Sequence, residues 1–255
     1  MRNIWTICSK ELRSYFVSPI AYLLLTMFAL IFGFFFWNAL GYFVIAGLEM
    51  QLRGQNIPMN VNEQIIRPLL SNASVVGLFL IPMITMRLFA EEKRSGTIEL
   101  LATSPVRDIE VIVGKWLAAM ILYACLLFFT AINFAFLFRY GHPDWKPLAV
   151  GYLGLLLQAG TLLALGTFIS TLTKNQIIAG AATFGVCLLL WVLEWTSGYE
   201  SATWAHVLAY LSVITHFESF AKGVIELKDV IFYLSGIFLG LFFTARSMES
   251  LRWRS

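Results

Sequence analysis

Apolar residues fall into six long runs, at 20–41, 71–89, 116–138, 148–172, 177–195 and 230–246, with shorter polar connections between them. A helix of roughly 17–25 apolar residues spans the hydrocarbon core of a bilayer. Lipid supplies no hydrogen bonds, so a run of this kind has to satisfy its own backbone, which a helix does within one segment. The pattern predicts an all-α integral membrane protein with six transmembrane helices, forming one domain over residues 1–255. Pro82 and Arg87 sit in or at the edge of the second run. The proline predicts a kink, and the arginine predicts a side chain that reaches out to the interface.

The connections differ in kind. In residues 1–18, Ile4, Ile7, Cys8, Leu12, Tyr15 and Phe16 recur at three- and four-residue spacing, with Arg2, Lys10 and Arg13 among them. That pattern predicts an interfacial helix lying on lipid headgroups, ended by Ser18-Pro19. Residues 42–70 read as a polar external loop, and "RYGHPDWKP" at 139–147 as a tight link. Residues 197–229 are largely apolar yet too interrupted to span, which predicts an external re-entrant helical segment before the last span.

Composition sharpens this picture. Apolar residues make up 59% of the chain and charged residues 13%, about half the charge of a soluble domain. A net charge of +3 is too small to indicate a nucleic-acid partner; the placement of cations says more. Arg2, Lys10, Arg13, Arg87, Lys93, Arg94, Arg107, Lys115, Lys174, Arg246, Arg252 and Arg254 fall on one side of the six runs. Arg53, Arg67, Arg139, Lys146, Lys222 and Lys228 fall on the other. Cytoplasmic loops carry the excess of Lys and Arg, so the chain is expected to be a multi-pass protein of a bacterial inner membrane with both termini in the cytoplasm. The first run, of about 22 residues, exceeds the 7–15 of a signal-peptide core and is expected to remain as an anchor. Cys8, Cys125 and Cys187 are scattered and read as small buried hydrophobes.

Catalytic chemistry is not apparent. No G-x-x-x-x-G-K-[ST] occurs, and the one Gly-Lys pair, Gly114-Lys115, runs straight into Trp116 and a span. No Ser/His/Asp or Cys/His set gathers in a polar pocket, so no enzyme activity, metal or cofactor is expected of this chain. Within the runs, Asn133 and Gln158 are expected to bridge helices, and Glu194 ends the fifth. An intramembrane carboxylate is a functional candidate, but there is no acidic relay of the sort a proton-driven carrier uses. Energy is expected to come from outside the chain. Gly160/Ala164, Gly166/Ser170 and Ala181/Gly185 allow close helix approach, either within the bundle or at a dimer face.

Charge concentrates in "MRLFAEEKRSGTIELLATSPV", residues 86–106, which overlaps a cytoplasmic coupling segment expected at 90–110. Arg87–Glu91 and Glu91–Arg94 spacing extends the second helix past the bilayer with ion pairs. Ser95-Gly96 predicts a break. Thr97 is then placed to cap a short helix over 97–103, with Glu99 in its first turn, Ile98, Leu101 and Ala102 on one face, and Ser104-Pro105 as its stop. Such an amphipathic helix can dock in a partner's groove.

This block, with "IPMITMR" before it, closely resembles the signature of ABC type-2 membrane permeases. "SPIAYLLLTMF", "KNQIIAG" and "HFESFAKGVIELKDVIFYLS" are similar to the gliding-motility permease subunit GldF and its relatives. The resemblance implies a type V exporter-like subunit that dimerises with itself or a second permease and sits on two ATP-binding cassette subunits. ATP and magnesium would be bound by those partners, and a separate periplasmic protein could join the assembly. Carried over by position, Glu91, Glu92, Gly96, Thr97, Glu99 and Leu100 would form the coupling element. Lys174, Asn175 and Gln176 would make a second contact with the ATPase. Glu194, His216 and Glu218 are the candidate translocation or gate residues. The alternative is a subunit that relays ATP-driven force to an outer partner without moving solute.

Overall fold

The structure, a computed structural model, describes residues 2–54, 60–98, 106–141, 143–198, 207–208 and 210–252. Regular structure among the described residues is helical throughout: α1 (Arg2–Val17), α2 (Pro19–Leu52), α3 (Arg67–Thr85), α4 (Ala90–Ser95), α5 (Asp108–Tyr140), α6 (Trp145–Leu172), α7 (Gln176–Val192), α8 (Val213–Ala221) and α9 (Leu227–Arg252). A π-helical turn, Asn62–Ile66, leads into α3, and a 3-10 turn, Leu193–Gly198, follows α7. Among the described residues six stretches are long and apolar enough to cross a membrane, and each contains one of the six runs of the sequence.

Local chemistry sets the boundaries. Ser18 caps α2, its hydroxyl accepting from the Ile20 amide at 3.4 Å, and Pro19 occupies the first turn, where its missing N–H costs nothing. Asn175 caps α7 by accepting from the Ile177 amide at 2.9 Å. Glu110 accepts from the Arg107 amide at 3.2 Å where α5 begins.

Several boundaries differ from the sequence reading. Helix resumes at Asn62–Ile66 and Arg67 inside the expected 42–70 loop, α5 begins at Asp108 and not at 116, and α9 runs on past 246 to Arg252. Two more bear on the site. α2 continues eleven residues past 41, to Leu52, because Phe43, Val44, Ile45, Ala46 and Leu48 carry on the apolar helix-forming run. At about 1.5 Å per residue its 34 residues reach ~50 Å, well beyond the ~30 Å hydrocarbon core. α3 stops at Thr85, and residues 86–89 form turns before α4. Pro82, which can donate no backbone hydrogen bond, lies just before that stop. The peptide groups freed by the break find side-chain partners. Ser170 Oγ accepts from the Phe89 and Ala90 amides, both at 3.1 Å, and Lys115 Nζ donates to the Leu88 carbonyl at 2.8 Å.

The spans run antiparallel. One end of the bundle gathers α1, residues 86–98, the start of α5, the end of α6 and the end of α9. It is joined by Asn3 to Glu110 (3.1 Å), Lys93 to the Thr171 carbonyl, and Thr171 to Ser247 (2.8 Å). The opposite end is joined by reciprocal bonds between Asn62 and Asp144, at 3.1 and 3.3 Å, and by α8, which wedges against α3, α6 and α9. α6 is the central helix, touching α3, α5, α7, α8 and α9. Its Gln158 accepts a 2.7 Å bond from Ser74 on α3, the helix bridge expected of it. Asn133 is half-buried and makes no such bridge among the described residues.

The small-residue pairs separate cleanly. A Cβ on Gly160 would lie 2.9 Å from Ile237, and one on Gly166 would lie 2.5 Å from Thr85 Oγ1, so these pairs pack inside the bundle. Gly185 has nothing within 4 Å. Its face of α7 points away from the bundle with Ile178 and Leu189, both mostly exposed.

Candidate functional site

Residues 86–98 lie at the end of the bundle that carries α1, with Leu88, Phe89 and Ala90 buried and Arg94, Ser95, Gly96 and Thr97 exposed. Arg87 Nε pairs with Glu91 Oε2 at 3.1 Å, the expected i,i+4 pair. α4 ends at Gly96, whose φ of +74° is the left-handed conformation that glycine adopts without strain. The predicted break is therefore present. Thr97 turns its hydroxyl back toward α4, 2.9 Å from the Ser95 hydroxyl, and donates to the Glu92 carbonyl at 3.5 Å. Glu99, Leu100 and most of the expected 97–103 helix lie outside the described residues.

Glu91 is exposed, whereas Glu92 is directed inward to a cluster the sequence reading did not assemble. Lys115, at 2% side-chain exposure, has Nζ 2.8 Å from Glu92 Oε1 and 2.9 Å from Glu11 Oε1. Its ammonium also lies 5.2 Å from the Phe89 ring centre. Lys10 completes the group at 3.3 Å from Glu11 and 3.7 Å from Glu92. Two cations and two carboxylates thus join α1, α4 and α5 with no net charge. Gly114 permits the approach, since a Cβ there would sit 2.9 Å from Ile7 of α1. The Gly-Lys pair that is no phosphate loop is the pivot of this joint. The available signal was a lysine one residue from an apolar run; its acidic partners are 104 and 23 positions away in sequence. Tyr15 reinforces the joint by donating to the Ile84 carbonyl at 2.8 Å.

Burial pushes the Glu11 carboxyl up, but Lys115 beside it and then Lys10 outweigh that and hold it below its ordinary 4.5. A depressed folded-state pKa means that the unfolded chain takes up the proton first. Glu11 therefore adds stability above about pH 4.5, and this is lost as pH falls through its lower folded value. Melting temperature measured from pH 7 down to pH 3.5 is expected to fall less steeply for Glu11→Gln than for the wild-type chain. Equal slopes would remove Glu11 from this role.

Lys174, Asn175 and Gln176 lie at the same end. The Asn175 side chain is engaged in capping α7. Lys174 is exposed and close enough to Lys93 for their charges to repel. The two segments expected to face an ATPase are thus adjacent in space.

The three candidate gate residues occupy the opposite end. Glu194 and Glu218 are close enough for like-charge repulsion, and Glu218 also pairs with Lys222 at 3.4 Å. His216 is turned away from them and is 4% exposed. Its Nδ1 lies 2.6 Å from Asp229 Oδ1, its Nε2 lies 2.8 Å from the Tyr210 carbonyl, and Phe232 stacks on the ring at 3.9 Å. A carbonyl can only accept, so Nε2 is the donor to Tyr210. His216 thus fastens α8 to α9. Asp229, an acid at the head of the sixth run, was not singled out in the sequence. Of the 197–229 segment, residues 199–206 and 209 lie outside the described residues.

Residues 5–244 match the family described as ABC-2 family transporter protein. The chain belongs to that family and is a membrane permease subunit of the ABC-transporter kind. It is similar to the protein named "Probable multidrug ABC transporter permease YbhR" in Escherichia coli strain K12 and in Escherichia coli O157:H7, with 25% identity over 173 residues in each. Those matches take in 65% of this chain and 44% of each relative, so the chain spans less than half the length of the curated relatives it matches.

Proposed function

We propose that the chain is the transmembrane subunit of an ATP-driven exporter in a bacterial inner membrane, with both termini cytoplasmic. Two separate cassette subunits would bind ATP and magnesium, and a second permease, identical or homologous, would complete the pore. The carrying observation is the joint at Lys115. Force delivered to the 86–106 segment would pass through Glu92 and Lys115 into α5, and through Glu11 into α1, so three elements would move together. α1 would lie along the inner leaflet, and α8 with its neighbours would form the re-entrant gate.

The outward face of α7 suits a second copy. Between α3 and α7 an apolar groove of about 340 Å³, lined by Phe79, Met83, Met86, Gly180, Ala181 and Phe184, opens on that face. Two such grooves brought together would make an apolar path, in keeping with the multidrug description of the YbhR relatives. The gliding-motility permeases related to GldF are the group whose motifs the chain carries.

The test is reconstitution with the partner ATPase in nanodiscs. Glu99→Ala or Leu100→Ala is expected to reduce transport-coupled ATP hydrolysis by about tenfold, or to prevent assembly, as coupling energies of 1–3 kcal/mol imply. Unchanged coupling and assembly would overturn the assignment. A second reading is favoured by the far end of α2, where Tyr42, Leu48 and Leu52 are exposed on a helix too long for the bilayer. There an outer partner would receive force and no solute would pass. A closed, lipid-filled seam in the dimer would support that reading, and a continuous cavity would support export.

A further inference from the structure

Below the corner between α1 and α2 a second groove, of about 590 Å³, runs between α2 and α5, lined by Phe16, Tyr22, Leu25, Leu30, Cys125 and Phe129. Its walls are apolar apart from the Thr26 hydroxyl and the Cys125 thiol. From Tyr22 to Leu30 it follows about 12 Å of helix, enough for a long stretch of extended hydrocarbon. Nothing else in the described bundle enters it.

The mouth is polar on one side only. Phe16 and Tyr22 meet edge to face there, their centroids 6.2 Å apart. Tyr22 is exposed, and its hydroxyl has no partner among the described residues. One helical turn from Phe16, Arg13 is exposed and pairs with no acid among the described residues. Its neighbours on the helix surface, Ser9, Lys10, Phe16 and Val17, include no carboxylate. Lys10 and Arg87 are both engaged by glutamates, so Arg13 is the cation left to meet an anion at this corner. An apolar slot lined by a tyrosine whose hydroxyl is free among the described residues, and by Phe16 one helical turn from an exposed guanidinium, has the charge and shape of a phospholipid site.

We propose that this groove holds one acyl chain of an anionic phospholipid, whose phosphate is bound by Arg13 and met by Tyr22. The site lies away from the α3–α7 groove and depends on the membrane-spanning arrangement alone, not on ATP coupling or transport. The lipid would brace the α1–α2 corner against α5, on the same element that carries Glu11.

The experiment uses the purified full chain in nanodiscs of phosphatidylglycerol or of phosphatidylcholine, each containing that lipid with a photoactivatable diazirine midway along one acyl chain. Labelled peptides are mapped by mass spectrometry. Labelling is expected to concentrate on residues 25–30 and 125–129, about fivefold more strongly with phosphatidylglycerol than with phosphatidylcholine. Arg13→Gln should remove that preference, and Ala29→Phe, which fills the slot, should abolish the labelling. The wild-type arms need no variant to fold. Labelling spread evenly over the exposed faces of α7 and α9, or equal with both headgroups, would overturn the site. So would labelling in nanodiscs that is absent in native membranes, which would place a partner's helix in the groove.

Discussion

Lys115→Met is expected to destabilise the protein by about 3–5 kcal/mol, the cost of removing one partner from a buried ion cluster. Methionine keeps most of the length and volume of lysine, so the loss is electrostatic and not a cavity. Glu11 and Glu92 would be left facing each other, with only the mostly exposed Lys10 to offset them, and the Leu88 carbonyl would lose its donor in the α3–α4 break. Glu92→Gln added to Lys115→Met should recover part of the loss, because it removes one of the two stranded charges. Thermal unfolding in detergent or nanodiscs measures both. A Lys115→Met protein as stable as wild type would mean that the cluster is dispensable. The same variant tests the transmission path. If its ATPase coupling is intact at a temperature where it remains folded, force does not pass through this joint.

The second large effect is expected at the α6–α9 contact. Gly240→Val should cost about 3 kcal/mol, at the upper end of overpacking penalties. A Cβ there would meet the Ala164 carbonyl carbon and Cβ at 2.8 Å and the Leu165 amide nitrogen at 3.0 Å. The obstacle is mainly helix backbone, so relief requires the two helices to separate. Gly236, one turn earlier, meets Thr161 in the same way at 2.5 Å, and the Thr161 hydroxyl donates to the Tyr233 carbonyl at 2.9 Å. In lipid there is no hydrophobic force to hold helices together, so such contacts carry the association. Gly185→Val is the control. It has open space in the chain by itself, so a monomer should tolerate it. If it blocks dimer formation, measured by crosslinking or light scattering, the α7 face is the subunit interface; if dimers form normally, the interface lies elsewhere.

Much of the fold was legible because each span announces itself locally. Length, hydropathy, Ser18-Pro19 before α2, Asn175 before α7 and Gly96 after α4 act within a few residues of where they stand. The limits of α2 and α3 were less legible. Apolar composition does not say where a helix leaves the bilayer, so α2 ran on to Leu52. Nor does it reveal that Ser170, far along the chain, accepts from the amides freed after Thr85, or that Lys115 donates to the freed carbonyl. Of the candidate site residues, Glu91, Gly96 and Thr97 are exposed, while Glu92 and His216 face inward. Both are held by partners, Lys115 and Asp229, that no local spacing connects to them. The Gly236/Gly240 pair carried the small-residue spacing and was passed over in favour of pairs on α6.

By itself the sequence determined an all-helical membrane protein with six spans, a charged segment between the second and third, and membership of a permease family. Those properties follow from local composition and short motifs, because in lipid a helix must satisfy its own backbone within a single segment. Only the tertiary structure decided which polar residues are exposed and which fasten helices together. That depends on which charges meet across the bundle, and Lys115 meets Glu11 and Glu92 only because antiparallel packing brings α1, α4 and α5 to one end.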